Sequence, residues 1–433
     1  MSRRTVVATA MSFIGDARFV TALTKAIVGT AVFAFMIRQT IGWAGLIGMI
    51  ATVAVLIALT IAARWDAIEW RGVLPLSLLI FVGWAGISIF WSQYKWATLV
   101  SLAYLACFTL FGVSIALLRD TIQIVRAFGD VLRLALGVSI GIEVLSGLLI
   151  DAPVHFLQVL GKLGELGPIQ GITGARNQLG FLAVLALIAF GTELRTHLVS
   201  RSVSIVSISV AALTLLLTRS PLEFGTLTVV CVATAALVGM RRATPEAQRV
   251  WQIALLVVTV IAAALTWVFR SSIVSLFNAG GDLTYRLDLW HRIWDLISFR
   301  TLEGWGWIGA WQDEIAPFQL FSTLSARDEN SASNAYIDVW FQLGIIGLAI
   351  FAGLIGLAFV RTWLLASGRR SVVFAWPALT IVALTVTALG ESSLLTELGW
   401  LTFVTCCVKA AGELSWRSAF TRPLLPALDP AER

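Results

Sequence analysis

Arg176, Arg219 and Arg286, with the carboxylate Asp338, are the residues of this sequence best suited to chemistry. A guanidinium stays charged at any working pH and its planar fork matches phosphate oxygens, so arginines gathered at one place can grip a diphosphate. A carboxylate within reach of a hydroxyl can take its proton as a general base. Asn334 and Asp338 stand four apart, which puts them on one helix face, and Ser333 before them can cap that helix. Each reading has a plainer counterpart. An arginine at a helix edge also snorkels or forms a surface ion pair, and Asp338 also suits a solvated first turn.

Gly304-Trp305-Gly306-Trp307-Ile308-Gly309 satisfies the GxGxxG spacing. A dinucleotide loop needs a buried strand before it and a helix after it, and the flanking sequence offers neither. The segment therefore reads as a Gly-rich turn, with Trp305, Trp307 and nearby Trp311 facing the membrane interface or sugar rings. With 3 His and 4 Cys, the Cys all inside apolar runs, neither a metal cage nor a disulfide framework can be read, and no cofactor is expected. The net charge of +6 contains no block of Lys and Arg, which excludes nucleic acid as the expected partner.

The elements that position these residues must be membrane helices, because 58% of the 433 residues are hydrophobic and 13% charged. Apolar runs bounded by charge predict an all-α polytopic protein with twelve spans: 20–37, 40–63, 73–92, 96–118, 130–150, 177–193, 202–217, 221–240, 251–269, 334–360, 373–389 and 394–411. Lys and Arg set the orientation. With both termini in the cytoplasm, 20 of the 31 basic residues fall inside and Arg133 falls within a span. The chain then forms one integral membrane domain, residues 1–433. Its long extracytoplasmic loop, 270–333, joins the ninth and tenth spans as a small lobe, helical around 283–299. Arg176, Arg219 and Arg286 lie on the outer side, where arginine is the exception and asks for a reason.

These residues occur in motifs that resemble the O-antigen ligase and polymerase superfamily. Thr218-Arg219-Ser220 comes first, then Arg286-Leu287-Asp288-Leu289-Trp290 with Gly304-Trp305-Gly306, then Asn334-Ala335-Tyr336-Ile337-Asp338 with Gly344-Ile345-Ile346-Gly347. Upstream, the run from Gly171 through Arg176-Asn177-Gln178 to Gly180 resembles that family's Gly-rich approach to the helix before the arginine span. Gly390-Glu391-Ser392-Ser393 looks like a motif of its exopolysaccharide-polymerase branch. The resemblance covers roughly residues 165–400.

It implies a metal-independent GT-C-like glycosyltransferase acting at the outer side of the cytoplasmic membrane. The donor would be a glycan on a polyprenyl diphosphate and the acceptor a hydroxyl of a glycan or lipid-glycan, with membrane lipids and other polysaccharide assembly proteins as further partners. By matched position Arg219 and Arg286 would hold the departing diphosphate, joined by Arg176. The ligase branch carries His where this chain has Ser333. A serine hydroxyl is no general base near neutral pH, so the base passes to Asp338, Glu223 or Glu391, or else Asn334 orients the acceptor and the arginines carry the rate. This departure favours the polymerase-like branch. A lipid-linked oligosaccharide flippase and a non-catalytic scaffold are the rival readings. Arg133, within a span, favours transport, although Asp130 three residues earlier could pair with it.

Overall fold

The computed structural model describes residues 12–68, 74–165, 167–242, 250, 280–324 and 330–413. The named elements are all helical: α1 (Ala17–Val32), α2 (Ala34–Ala63), α3 (Leu76–Ile87), α4 (Lys95–Leu118), α5 (Thr121–Val144), α6 (Arg176–Thr196), α7 (Arg201–Thr218), α8 (Pro221–Arg242), α9 (Gly280–Phe299), α10 (Gln319–Leu324), α11 (Ala335–Gly368), α12 (Ala375–Thr387) and α13 (Glu397–Glu413). Among the described residues seven helices are long and apolar enough to cross a membrane: α2, α4, Thr121–Ile150, α6, α7, α8 and α11. Leu76–Phe90 and Val372–Thr387 are shorter apolar helices. The expected run 251–269 lies outside the described residues, as do the lobe residues 270–279 and 325–329.

Burial identifies the axis of the bundle. The apolar stretch of α6 is 72% buried, against 28–39% for the other long spans, so α6 is enclosed while its neighbours keep a lipid-facing side. The fifth helix starts at Thr121 rather than near residue 130, so Asp130, expected at its start, lies in its interior together with Arg133. Charges are tolerated there because they neutralise one another. Asp130 binds Lys25 at 2.7 Å and Arg133 at 3.0 Å, and Arg133 also pairs with buried Glu193. Packing therefore accounts for the intramembrane arginine.

The bundle has two chemically different ends. One holds the lobe, the start of α4 and the junctions before α6, α8, α11 and α13, where Ser101 donates to Ile308 O at 2.6 Å. At the other, Lys409 closes the carbonyl end of α4 through Arg119 O at 2.8 Å, and Arg241 reaches Ala366 O at 2.8 Å.

The Gly-rich turn is the joint between lobe and bundle. The α11 helix breaks at Gly344, at φ 71° and ψ −177°, a conformation open essentially to glycine alone. Its interrupted ladder is completed from the lobe: Trp305 N donates to Phe341 O at 3.1 Å, Gly306 N to Gln342 O at 2.8 Å, and Ile345 N to Thr301 O at 2.8 Å. A Cβ on Gly304 would meet Gln342 O at 2.5 Å, and one on Gly344 would meet Leu302 O at 2.0 Å. Close backbone approach thus explains the glycines, with no phosphate involved. Gly344→Ala should lower stability by at least about 2 kcal/mol, from the forbidden dihedral plus the clash. Thermal unfolding in detergent measures it.

The lobe has a core of its own, in which Leu289, Ile293 and Ile297 of α9 pack on Trp311, Phe318, Phe321 and Phe341. Indole N–H groups tie this layer down. Trp84 donates to Leu343 O at 3.0 Å, Trp91 to Glu303 O at 3.0 Å and Trp290 to Ala332 O at 2.9 Å. Part of the Trp excess therefore clamps lobe to bundle, burying ring area while satisfying carbonyls freed by irregular backbone.

Candidate active site

Five chain segments separated by up to 214 positions meet where the lobe rests on the bundle. Arg286, in the second turn of α9, spans the gap. Its Nη1 donates to Ser333 O at 2.9 Å and to Gly390 O, and its Nη2 pairs with Glu391 Oε1 at 2.9 Å. Asn177, in the first turn of α6, donates to the same Oε1 at 2.7 Å. Ser220 Oγ donates to Asn177 Oδ1 at 2.8 Å and stands 3.4 Å from Glu223 N, at the N-terminal edge of α8. Pro221 is at home in a first helical position because no intrahelical acceptor waits there for an N–H.

This leaves Glu391 half-satisfied. Oε1 takes two donors, whereas Oε2 has no hydrogen-bond partner among the described residues, and the side chain is 16% exposed. It is oriented by Arg286 and Asn177 and still presents a free carboxylate oxygen. Arg286 has also kept capacity: three of its five donors are committed, leaving Nε–H and one Nη2–H.

The other carboxylates are placed differently. Asp338 is 1% exposed and both its oxygens are occupied. Oδ1 accepts from Trp311 Nε1 at 2.8 Å and Gln342 Nε2 at 3.1 Å; Oδ2 accepts from Ser392 Oγ at 2.6 Å and Ala332 N at 3.2 Å. A carboxylate so enclosed has no lone pair facing a substrate, so the expectation of Asp338 as base gives way to one of a strut. Glu223 is fully buried beside Thr387, 3.3 Å away, and does not reach the surface of the site. Asp338→Asn would turn an amide N–H toward a donor in this enclosed space. It should cost about 3 kcal/mol of stability while leaving turnover per folded molecule largely intact. Unchanged stability with abolished turnover would restore the chemical role.

Asn334 is likewise engaged at both ends of its amide. Oδ1 caps α11 by accepting from Tyr336 N at 2.9 Å and Ile337 N at 3.1 Å, and Nδ2 donates to Leu389 O at 2.9 Å. It fixes the start of α11 to the end of α12. Ser333, where the ligase branch has His, takes a left-handed φ of 49° and serves Arg286 through its carbonyl.

Arg219 terminates α7 at φ 47° and is exposed, and its guanidinium has no side-chain partner among the described residues. It stands beside Ser220, one bond from the network. Arg176 opens α6 next to Asn177 and is half-buried. The structure thus joins Arg286 and Glu391 directly, with Arg219 and Arg176 each adjacent in sequence to a member of the network.

The aromatic expectation is corrected by burial. Trp307 is 1% exposed and packs edge-on against Phe81, and Trp311 is 5% exposed between Phe318, Phe321 and Phe341. The ring of Trp305 lies under Arg300 at 4.8 Å, with its N–H on Leu296 O at 3.3 Å. Buried in this way, Trp307 and Trp311 offer no open face to a sugar, while Trp305 is half-buried.

Asn177, Ser220, Gln178 and Gln342 were not singled out from the sequence as site residues. Gln178 Nε2 donates to Ser393 Oγ at 2.8 Å, and Gln342 braces Ile308 N and Gly309 N at 2.9 and 3.0 Å. Apart from Gln342 they sit inside the quoted motifs beside the arginines, and that adjacency was the available signal. The four residues of Gly390-Glu391-Ser392-Ser393 reach three helices between them: Gly390 and Glu391 meet α9, Glu391 also α6, Ser392 α11 and Ser393 α6.

Residues 205–352 match the family model described as O-Antigen ligase, about a third of the chain. The match supports the resemblance to the O-antigen ligase and polymerase superfamily. It contains Arg219, Ser220, Glu223, Arg286, Asn334 and Asp338, while Arg176, Asn177 and Glu391 lie beyond it. No curated protein matches the chain.

Proposed function

We propose that this multi-pass membrane protein of O-antigen ligase or polymerase type transfers a glycan from a polyprenyl diphosphate to an acceptor hydroxyl, without a metal. The reaction takes place at the outer face of the cytoplasmic membrane, both termini being inside, and builds or attaches a surface polysaccharide. The observation that carries this reading is the Arg286–Glu391–Asn177–Ser220 network, which gathers a fork for phosphate and a half-free carboxylate at the end of the bundle that holds the lobe.

In the proposed step the acceptor oxygen attacks the anomeric carbon and its proton passes to Glu391 Oε2. The bond from that carbon to the diphosphate breaks, and the electron pair leaves with the polyprenyl diphosphate. Arg219 and the two spare donors of Arg286 neutralise the charge that develops on the leaving group, with Arg176 beside them, which is where an oxyanion-type contribution is largest. Asn177 positions Glu391, and Asp338, Asn334 and Glu223 hold the surrounding backbone.

The testing experiment supplies purified protein with a labelled polyprenyl-diphosphate glycan and an acceptor. New glycosidic bonds support the enzyme; relocation of donor across the bilayer without bond formation would support a flippase instead. Arg219→Ala should reduce transfer at low donor concentration by roughly 10- to 100-fold, since it removes a charge-assisted contact to phosphate without disturbing any described side-chain hydrogen bond. Initial rates against donor concentration check this.

A further inference from the structure

We infer that the end of the bundle opposite the lobe carries a second anion site, in which Arg64 and Arg119 grip a phosphate group. A cavity of about 210 Å³ opens there, lined among others by Ala17, Arg64, Arg119, Asp120 and Gln123. The 24 residues of α4 separate it from the lobe by about 36 Å, more than the hydrocarbon thickness of a bilayer, so it lies at the level of the opposite headgroups.

Three observations point to a ligand. First, among the described residues neither arginine has an ion-pair partner, although Arg119 is only 7% exposed and Arg64 half-buried. Buried guanidinium charge is normally paired. Second, the two share one cavity with a single carboxylate, Asp120, which is exposed, and Lys409 stands behind them on Arg119 O. Burial, and then the neighbouring Arg64, pull the Arg119 guanidinium below its ordinary pKa against the opposing effect of Asp120, and a bound anion would offset the repulsion between the two arginines.

Third, the pair is held rigidly and still has donors to spare. Arg119 uses Nε on Thr24 Oγ1 at 3.3 Å, Nη1 on Gln123 Oε1 at 3.1 Å and Nη2 on Ala17 O at 3.0 Å and on Thr21. Arg64 places Nε and Nη2 on Gly15 O at 2.9 and 2.7 Å, leaving both Nη1 hydrogens and one on Nη2. With the last hydrogen on Arg119 Nη1, these suit the several oxygens of a phosphate. A phospholipid headgroup and free inorganic phosphate share this chemistry. The site is separate from the transfer site and does not depend on the reading of it.

The test uses the full-length protein in neutral detergent and follows its thermal unfolding. One arm adds dihexanoyl phosphatidylglycerol, with the same diacylglycerol bearing an uncharged sugar as control; a second adds inorganic phosphate against chloride at equal ionic strength. A ligand bound only by the folded state raises the melting temperature in proportion to its occupancy. Stabilisation by the phospholipid alone identifies a headgroup site, and stabilisation by inorganic phosphate as well identifies a site for the phosphate group itself. Arg64→Gln should weaken either response by roughly tenfold or more. Gln123→Glu covers the case in which Arg64→Gln does not fold: it supplies an internal anion to Arg119, so it should raise the melting temperature without ligand and suppress the response. No shift with either probe, or an undiminished response in Arg64→Gln or Gln123→Glu, overturns the inference.

Discussion

Glu391→Gln is expected to abolish glycan transfer while leaving the protein folded. The two side chains have the same shape, and the glutamine carbonyl can take the place of Oε1, accepting from Asn177 and Arg286 as the carboxylate does. What changes is the other atom. Oε2, without a hydrogen-bond partner among the described residues, becomes an amide nitrogen that cannot receive a proton. A general base contributes about 10²–10⁴ in rate, so the turnover number should fall by at least about 100-fold with little change in melting temperature. Glu391→Ala would be a poorer probe, because it also removes the acceptor that orients Arg286 and Asn177. Rates from a labelled donor, normalised to folded protein, decide the matter. Wild-type turnover in Glu391→Gln would remove Glu391 from the chemistry and leave leaving-group stabilisation to carry the reaction.

Arg286→Lys should fail nearly as completely, although it conserves the charge. Arg286 reaches three groups at once, two carbonyls through Nη1 and a carboxylate through Nη2, and keeps two donors in the same plane. An ammonium is a single point with three donors. It can serve the carbonyls or the carboxylate but cannot also reach a diphosphate, because it lacks the planar spread of the fork. Transfer should drop by roughly 10³-fold, the range seen when an oxyanion-stabilising donor is lost. Ser333 O and Gly390 O would also lose a shared donor, so protease sensitivity of the lobe should rise in Arg286→Lys and further in Arg286→Ala. A lysine variant that turns over at the wild-type rate would show that charge alone is enough, and the bidentate role would fall.

Much of the fold was legible in the sequence, for a simple reason. Apolar residues in runs of membrane length must become helices, since no other conformation satisfies their backbone groups in lipid. Among the described residues seven of the expected runs fall on helices long and apolar enough to cross a membrane, two on shorter apolar helices and 394–411 on α13, while the run 20–37 is divided between α1 and α2. The run 251–269 lies outside the described residues. The boundary error at the fifth run has an equally physical cause: Asp130 read as the start of a helix because its partner Lys25 is 105 positions away.

The candidate site was legible in its parts and not in its roles. Type and position picked out Arg286, because an arginine on an outer edge needs a reason, and the resemblance of Gly390-Glu391-Ser392-Ser393 to a family motif picked out Glu391. Nothing local distinguished Glu391 from Asp338. Both are carboxylates near the same border, yet four donors from three segments enclose Asp338 while Glu391 keeps an oxygen without a partner. Trp307 and Trp311 misled for a related reason. An indole suits a sugar ring and a helix joint equally well, and only the kink at Gly344, with its displaced carbonyls and the lobe packed against it, settled their use. The sequence by itself determined the helices and the short list of polar groups, because burying apolar surface and satisfying backbone are local requirements. Which of those groups became strut, clamp or open carboxylate was decided by the tertiary structure, since a buried polar atom is defined by its partners, and those arrive from distant parts of the chain.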